Sequence, residues 1–453
     1  MWLLKQVLGR AIKNGRLIIT DADGQRHSFG SGKDGSEVHV RLADKKLPTQ
    51  IALRPDPVVG EAYMDGRLTF ENGSTVRDLL QLYTANRREG REPHPLHEFI
   101  EKMQRFLRPL HQLNVLKRSA RNVQHHYDIG NDFYRLWLDK EMNYSCAYFR
   151  EPDYTLEQAQ KAKLEHIAVK MRIEPGMRVL DIGCGWGAMA IHLAKNHGAI
   201  VTGISLSPQQ LVIARERAEA AGVADKVTFL EQDYRLVKGQ FDRIVSIGMM
   251  EHVGITYFDT YFKSCRRLLT EDGIAVIHAI GRMSPPGSTG PFTRKYIFPG
   301  GYVPSMSEVF ASTQRCKLWV DDCEILRLHY AWTLNHWWQR FMANREAIVN
   351  MFDERFARMW EFYLLGAESW FLNGPLMVFQ IQLTKLRNAV PITRDYIAEA
   401  EGIVADSRKK PSAPAAKKSA AARAKPAGKT AAAKAAPAKR AAAKPARRKV
   451  KAG

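Results

Sequence analysis

The hydrophobic positions of this chain change their spacing along its length, and the changes mark its organisation. In residues 1–95 they fall in short runs, at 16–21 (RLIITD), 37–42 (EVHVRL) and 50–53, which read as strands. Asp23-Gly24 and the glycine-rich 30–35 supply turn chemistry between them. GEAYMDG (60–66) then leads into an amphipathic helix over 76–86. The pattern predicts a small N-terminal α+β domain over 1–95 in which no catalytic constellation is visible. RREGREPHP (87–95) is polar and carries prolines, so it opens a linker. Residues 96–123 read as a basic linker helix with Phe99, Met103, Phe106 and Leu107 on one face, suited to packing or to facing a membrane as a lid.

From about residue 175 strands and helices alternate. Strands are expected at 178–182, 200–204, 227–230, 243–247 and 273–280, and helices at 188–197 and 208–221. Alternation at these lengths predicts an α/β domain with a doubly wound sheet, placed at 124–400. An aromatic-rich helical stretch (332–371) and a last strand near 377–383 complete it. Residues 401–453 are Ala, Lys and Pro with hardly a large apolar side chain, the composition of a disordered tail.

Composition sharpens this picture in three places. With 453 residues, 45% of them hydrophobic, the chain can bury two cores, yet no apolar run approaches the ~18–20 residues of a membrane span. Lys5, Arg10 and Lys13 interrupt the first sixteen residues, which do not read as a signal peptide. Cys146, Cys184, Cys265, Cys316 and Cys323 are odd in number and lack CxxC spacing, which argues against a zinc ribbon or a disulfide framework and suits a reduced cytosol. Of the net charge of +21, the tail segment 407–453 supplies 16 cations and no acid, leaving only +5 on the rest.

The strongest local signal is VLDIGCGWG (179–187). A strand ends in Gly183, Gly185 and Gly187, which turn the chain into a helix and let a ligand approach the backbone. The spacing is not GxGxxG, and no lysine makes it a phosphate loop. The Asp-x-Gly-x-Gly-x-Gly form resembles S-adenosylmethionine (SAM)-dependent methyltransferases, a Rossmann-like fold, and the resemblance gives Asp181 the amino-acid end of SAM. Those folds place an acid after the second strand for the ribose. Here the strand ends GISLS (203–207), so either recognition is weaker or Ser205 and Gln210 take that role. Asp233, in QDY (232–234), stands where an adenine contact is expected.

Four further segments narrow the resemblance: YDIGNDFY (127–134), NYSCAYF (143–149), SIGMMEHVG (246–254) and KYIFPGG (295–301). With the glycine loop they look like the cyclopropane-fatty-acyl-phospholipid synthases and the related mycolic acid cyclopropane synthases. The match runs over about 124–383, and the N-terminal unit is similar to the extra domain of the phospholipid enzymes. The resemblance implies methyl transfer from SAM to a cis double bond of a phospholipid acyl chain, with a bound bicarbonate taking the proton that closes the ring. It assigns Cys146, Glu251, His278, Ile280 and Tyr363 to the bicarbonate, and Tyr144 and Ser145 to SAM beside the glycine loop.

Read from the residues alone, each of these has a plainer use. Cys146 has no general base beside it, so it is a structural cysteine or a contact through its backbone amide. Glu251 is a helix cap or, on its apolar Gly-Met-Met approach, a carboxylate held for function. His278, in AVIHAI (275–280), is a satisfied core histidine or a group at the sheet's active edge, and Tyr363 reads as core. His125, His126 and Asp128 suggest metal ligands, but Asn131 behind them suits a helix N-cap, so no metal is expected. Trp332, Trp337, Trp338, Phe341 and Trp370 would line an acyl channel or pack as core.

The partners implied are unsaturated phospholipids, with an anionic membrane or another polyanion engaging the tail. That places the protein in the cytoplasm, peripherally on the inner face of the membrane; a homodimer stays open. A methyltransferase leaving a branched chain shares the first chemical step and is the nearest alternative. A nucleic-acid methyltransferase would need an Asn/Asp-Pro-Pro-Tyr or a catalytic Pro-Cys motif, and the sequence has neither. A silent binding protein would be expected to have lost the cofactor loop, Glu251 or His278.

Overall fold

Short strands with one buried face build the N-terminal part. The computed structural model describes residues 1–32, 36–88 and 129–402. Strands β1 (Arg16–Thr20), β2 (Arg26–Phe29), β3 (Glu37–Leu42) and β4 (Leu68–Glu71) form one sheet in the order β2-β1-β3-β4. Leu17, Ile19, Val38, Val40 and Leu42 alternate onto its buried face, as period two demands. Helices Trp2–Ala11, Leu47–Leu53, Pro55–Met64 and Val76–Arg88 belong to the same part. The strand expected at 50–53 is thus helix: Asp44 Oδ1 accepts from the amides of Lys46 and Leu47, and Pro48 sits in the first turn.

Long apolar runs make the second sheet. It joins β5 (Arg178–Ile182), β6 (Ile200–Ser205), β7 (Val227–Glu231), β8 (Phe241–Ile247), β9 (Leu269–Arg282), β10 (Trp319–Leu326) and β11 (Leu376–Thr384) in the order β10-β11-β9-β8-β5-β6-β7. The five strands β5 to β9 run parallel and β10 and β11 antiparallel to their neighbours, giving the Rossmann-like α/β architecture the sequence implies. Strand order reverses between β5 and β8, the place where such sheets open a crevice at their carboxyl ends.

Helix Glu354–Asn373 carries the aromatic stretch and packs on helices Pro55–Met64 and Val76–Arg88. Polar bonds fix that contact: Tyr63 Oη donates to Glu361 at 2.9 Å and Arg77 Nη1 to Glu368 at 2.7 Å. Nearby, Asp56 accepts the Phe292 amide at 2.7 Å, and Glu61 accepts from Lys295 Nζ and Tyr296 Oη. The N-terminal part is therefore clamped onto the KYIFPGG segment. The linker helix expected at 96–123, His125, His126 and Asp128, and the tail beyond residue 402 lie outside the described residues.

Candidate functional site

The glycine loop is built by contact as well as by conformation. Gly183, Gly185 and Gly187 all have positive φ, and a Cβ on Gly187 would sit 2.7 Å from Phe229 Cζ. Asp181, the penultimate residue of β5, is buried with Oδ2 shielded and without a hydrogen-bond partner, and burial pushes its carboxyl up to about 7. A cavity of about 150 Å³ runs past this loop. Its walls include Tyr144, Ser145, Asp181, Gly183, Gly185, Ser205, Gln210 and Asp233, so of the residues assigned to the methyl donor all but Gly187 reach one space. Ser205 Oγ bonds Gln210 Oε1 at 3.2 Å, and Asp233 is tied by two of its oxygens to Arg235.

Tyr144, Ser145 and Cys146 lie in an irregular segment that helix Leu156–Met171 holds from behind. A Thr155–Gln158 capping box starts that helix. Gln160 Nε2 donates to Ser145 O at 2.9 Å, and Lys163 Nζ donates to Asn143 Oδ1 and Ser145 Oγ at 3.0 and 2.9 Å. Lys163 is buried, lines the same cavity, and has its ammonium pulled down to about 8 by that burial. The sequence reading did not find Lys163.

A second cavity of about 1440 Å³ meets the first along Tyr144, Ser145, Gly248 and His252, which line both. Cys146, Glu251, His278, Ile280 and Tyr363 all stand on its wall. It is larger than the ~300–1,000 Å³ usual for small-molecule sites and is mostly apolar. It extends to Leu4, Leu17, Ile19 and Val40 of the N-terminal sheet and its helices, so the N-terminal part supplies much of the lining. Of the five aromatic residues expected to line such a channel, Trp370 does so. Trp337 and Phe341 are buried in the core, Trp332 is part-exposed, and Trp338 carries the Arg77 guanidinium 4.2 Å above its ring.

The wall also carries charged groups such as Arg54, Asp56, Arg282 and Arg294, and the polar groups assigned to the site are held individually. Glu251 follows β8 in a short 3-10 turn; its Oε1 accepts the Ile280 amide at 2.6 Å, so it is no helix cap. Its Oε2 is buried without a partner, and burial raises the carboxyl to about 7. His278 lies within β9, which continues four residues beyond it to Arg282; its carbonyl accepts the Gly248 amide at 2.8 Å and so holds it level with the end of β8. Its Nδ1 meets Gln380 Nε2 at 3.1 Å, its Nε2 is buried without a partner, and burial keeps the ring neutral by pulling its pKa far below the ordinary value. Tyr363 Oη and Tyr144 Oη are 2.9 Å apart, and burial raises Tyr363 to about 12. The Cys146 thiol bonds Ala147 O and burial pushes its pKa up, so it stays a thiol and is no ready nucleophile. His252, also missed by the sequence reading, is pulled down to about 4 by burial.

Asn131, expected as an N-cap, opens helix Asn131–Arg135 behind Gly130 and instead accepts the Trp186 indole N–H at 2.8 Å. Away from both cavities, Glu165, His192 and His197 bring potential metal-ligand atoms within 4.8 Å of one another, a cluster the sequence reading did not single out. No described helix is long and apolar enough to cross a membrane.

Comparison with known proteins settles the family. The family model described as mycolic acid cyclopropane synthetase matches residues 114–381. The chain belongs to that family. It is accordingly an enzyme, a SAM-dependent methyltransferase. A "Probable fatty acid methyltransferase" of Pseudomonas putida is 36% identical over 373 residues, 80% of this chain and 90% of that one. The "Cyclopropane-fatty-acyl-phospholipid synthase" of Escherichia coli (strain K12) is 37% identical over 337 residues, 74% and 85% of the two chains. Among solved structures, mycolic acid cyclopropane synthase CmaA1, complexed with SAH and CTAB, superposes with a TM-score of 0.55 at 33% identity, covering 58% of this chain and 97% of that one.

Proposed function

We propose that the enzyme is a cyclopropane-fatty-acyl-phospholipid synthase, adding the SAM methyl carbon across a cis double bond of a phospholipid acyl chain. The observation that carries this reading is the meeting of two unlike cavities at Tyr144, Ser145, Gly248 and His252. One has the polar walls and unpaired Asp181 suited to a zwitterionic, cationic donor; the other is long, apolar and suited to an acyl chain. In this reading Asp181 accepts from the ammonium of SAM, with Tyr144, Ser145, Ser205, Gln210 and Asp233 along the rest of the donor and Gly183 and Gly185 giving it room, while Gly187 leaves space for Phe229 behind the loop.

An isolated alkene is a weak nucleophile, and alkylating it creates a cation that water would trap. A mostly apolar wall disfavours water at the reacting carbons, and the polar groups near the donor must serve the proton that leaves. The residues present fit a small oxyanion: Glu251 Oε2 and His278 Nε2 are both buried without a partner on the same wall as Tyr363. A bicarbonate bound there would supply the base. Glu251 would accept from its hydroxyl, while His278 and Tyr363 would hold its oxygens. Ile280 has given its N–H to Glu251 and so acts through that carboxylate and its own carbonyl. Cys146 contributes its backbone.

Phospholipid vesicles with a monounsaturated chain, labelled SAM and controlled bicarbonate test this directly. Labelled cyclopropane lipid whose formation falls when bicarbonate is depleted is the expected result. A methyl-branched product would move the chain to the reading that the fatty acid methyltransferase relative suggests. The phospholipid membrane, its inner face as the place of work, a tail held on anionic lipid, and the division into domains 1–95, 96–123 and 124–400 belong to the same proposal.

A further inference from the structure

A neutral imidazole has one N–H and one lone pair, so His278 can offer its cavity-side nitrogen either as donor or as acceptor. The partner of Nδ1 decides which. That partner is the side-chain amide of Gln380, which alone is ambiguous because one end donates and the other accepts. Lys170 removes the ambiguity. Its ammonium can only donate, and it stands 2.9 Å from the other end of the same amide. That end must be the oxygen. The NH2 end then faces His278, Nδ1 must accept, and the imidazole proton sits on Nε2. Nε2 is the nitrogen with no protein partner, on the same cavity wall as Glu251 and Tyr363.

Lys170 is itself held. Its ammonium touches Glu324 Oε2, which also meets His166 Nε2 at 2.6 Å. His166 Nδ1 meets Glu401 Oε1 at 2.5 Å, and Arg150 closes on Glu401 Oε2 at 2.9 Å. The contacts of Lys170 and His166 hold the Glu324 carboxyl far below its usual range, although burial opposes them. The anchor is therefore an anion; burial lowers the Lys170 ammonium, and the charge and hydrogen bond of Glu324 oppose that fall. Lys170, Gln380 and His278 come from three elements, helix Leu156–Met171, β11 and β9, and Gln380 lies directly opposite His278 in the strand pairing.

We propose that Lys170 and Gln380 are positioning residues that fix His278 as the Nε2–H tautomer, making it a hydrogen-bond donor to an oxyanion in the catalytic cavity. The oxyanion rests on the function proposed above; the tautomer does not. An amide relays no proton in this arrangement, so the chain from Glu324 to His278 sets orientation and carries nothing.

The test uses the full-length protein with 15N-labelled histidine. Long-range proton–nitrogen correlations separate a protonated ring nitrogen from one with a lone pair, and a His278→Gln spectrum identifies the signals. Wild type is expected to show a lone pair on Nδ1 and a proton on Nε2. In Gln380→Glu, of nearly the same shape, the carboxylate can only accept, so Nδ1 must gain a proton. The altered nitrogen pattern should come with a fall in kcat of about 100-fold or more, the scale on which a mis-set histidine tautomer costs catalysis. Binding of S-adenosylhomocysteine should change by less than about twofold, since neither residue lines the donor cavity. A proton on Nδ1 in the wild type would overturn the proposal whether or not the variant folds. So would a folded Gln380→Glu enzyme with unchanged signals and turnover. A wild-type rate independent of bicarbonate would instead sink the oxyanion and leave the tautomer assignment standing.

Discussion

Glu251 Oε1 accepts a hydrogen bond from the Ile280 amide at 2.6 Å, and the second carboxylate oxygen is buried without a protein partner. The end of β8 is thereby fastened to β9, and the cost of a buried unpaired oxygen is tolerated at the point where the two cavities approach one another. Both features are lost if the side chain is shortened.

Glu251→Gln keeps the shape but cannot accept hydrogen bonds at both ends. Turnover is expected to fall about 100-fold or more, the usual range for losing a group that manages a proton. His278→Ala should do the same. Calorimetry with S-adenosylhomocysteine should show near-normal binding in both, and unchanged turnover would remove these residues from the site.

Glu251 and Asp181 also predict a stability profile. Both carboxyls are raised to about 7 in the fold, from ordinary values of 4.5 and 3.8. A raised acid favours the neutral form in the folded state. Its contribution is complete below the unfolded value and is lost as pH climbs through about 7. Each group can account for up to about 3–4 kcal/mol, less whatever water in the cavities returns. Urea unfolding of the ligand-free protein at pH 5 and pH 8 should give a smaller difference for Glu251→Gln than for wild type.

Lys163→Met removes a buried ammonium that holds Asn143 and Ser145 in place on the donor cavity. Affinity for S-adenosylhomocysteine should drop about tenfold or more, the effect of losing one charge-assisted bond that shapes a site. An unchanged Kd would show that this wall holds its form without the lysine.

Gly187→Ala meets both a left-handed backbone and the Phe229 ring. The expected loss is about 2–4 kcal/mol in denaturant unfolding, combining the conformational and overpacking terms. Phe229→Leu should recover part of it, since the clash is with the ring; no recovery would leave backbone strain as the whole cause.

The parts of this architecture that were legible in the sequence are those where burial and backbone geometry agree. The strand Arg178–Ile182 and the helix Ala188–His197 coincide with the apolar run and the helix after the glycine loop. Leu47–Leu53 misled because four residues cannot show a period, and the signals that mattered, Asp44 and Pro48, lie before them. Helix Leu156–Met171 was passed over for a deeper reason. Gln160, Lys163, His166 and Lys170 recur at helical spacing and look like a solvated face, yet they are buried against the sites. Gln380 is hidden similarly, one of two glutamines in a mostly apolar strand, and it gains meaning only opposite His278. Glu324 sits on a half-buried strand whose acids gave no strand signal. Polar residues turned inward cannot be told from a wet surface until packing shows which side is filled.

The tail contributes its own expectation. With 16 cations over 407–453 and about 1 kcal/mol for each that reaches an anionic leaflet, its deletion should weaken binding to anionic vesicles. Turnover on detergent-dispersed substrate should be retained. Equal vesicle binding by the truncated protein would end the tethering idea.

The most direct measurement is mass spectrometry of the phospholipids of a host lacking such an enzyme, with and without this chain. Monounsaturated acyl chains should gain one CH2, with the ring retained on fragmentation, and the gain should vanish for Glu251→Gln. Lipids left unaltered by a folded wild-type protein with SAM present, or a CH2 that fragments as a methyl branch, would contradict the proposed reaction.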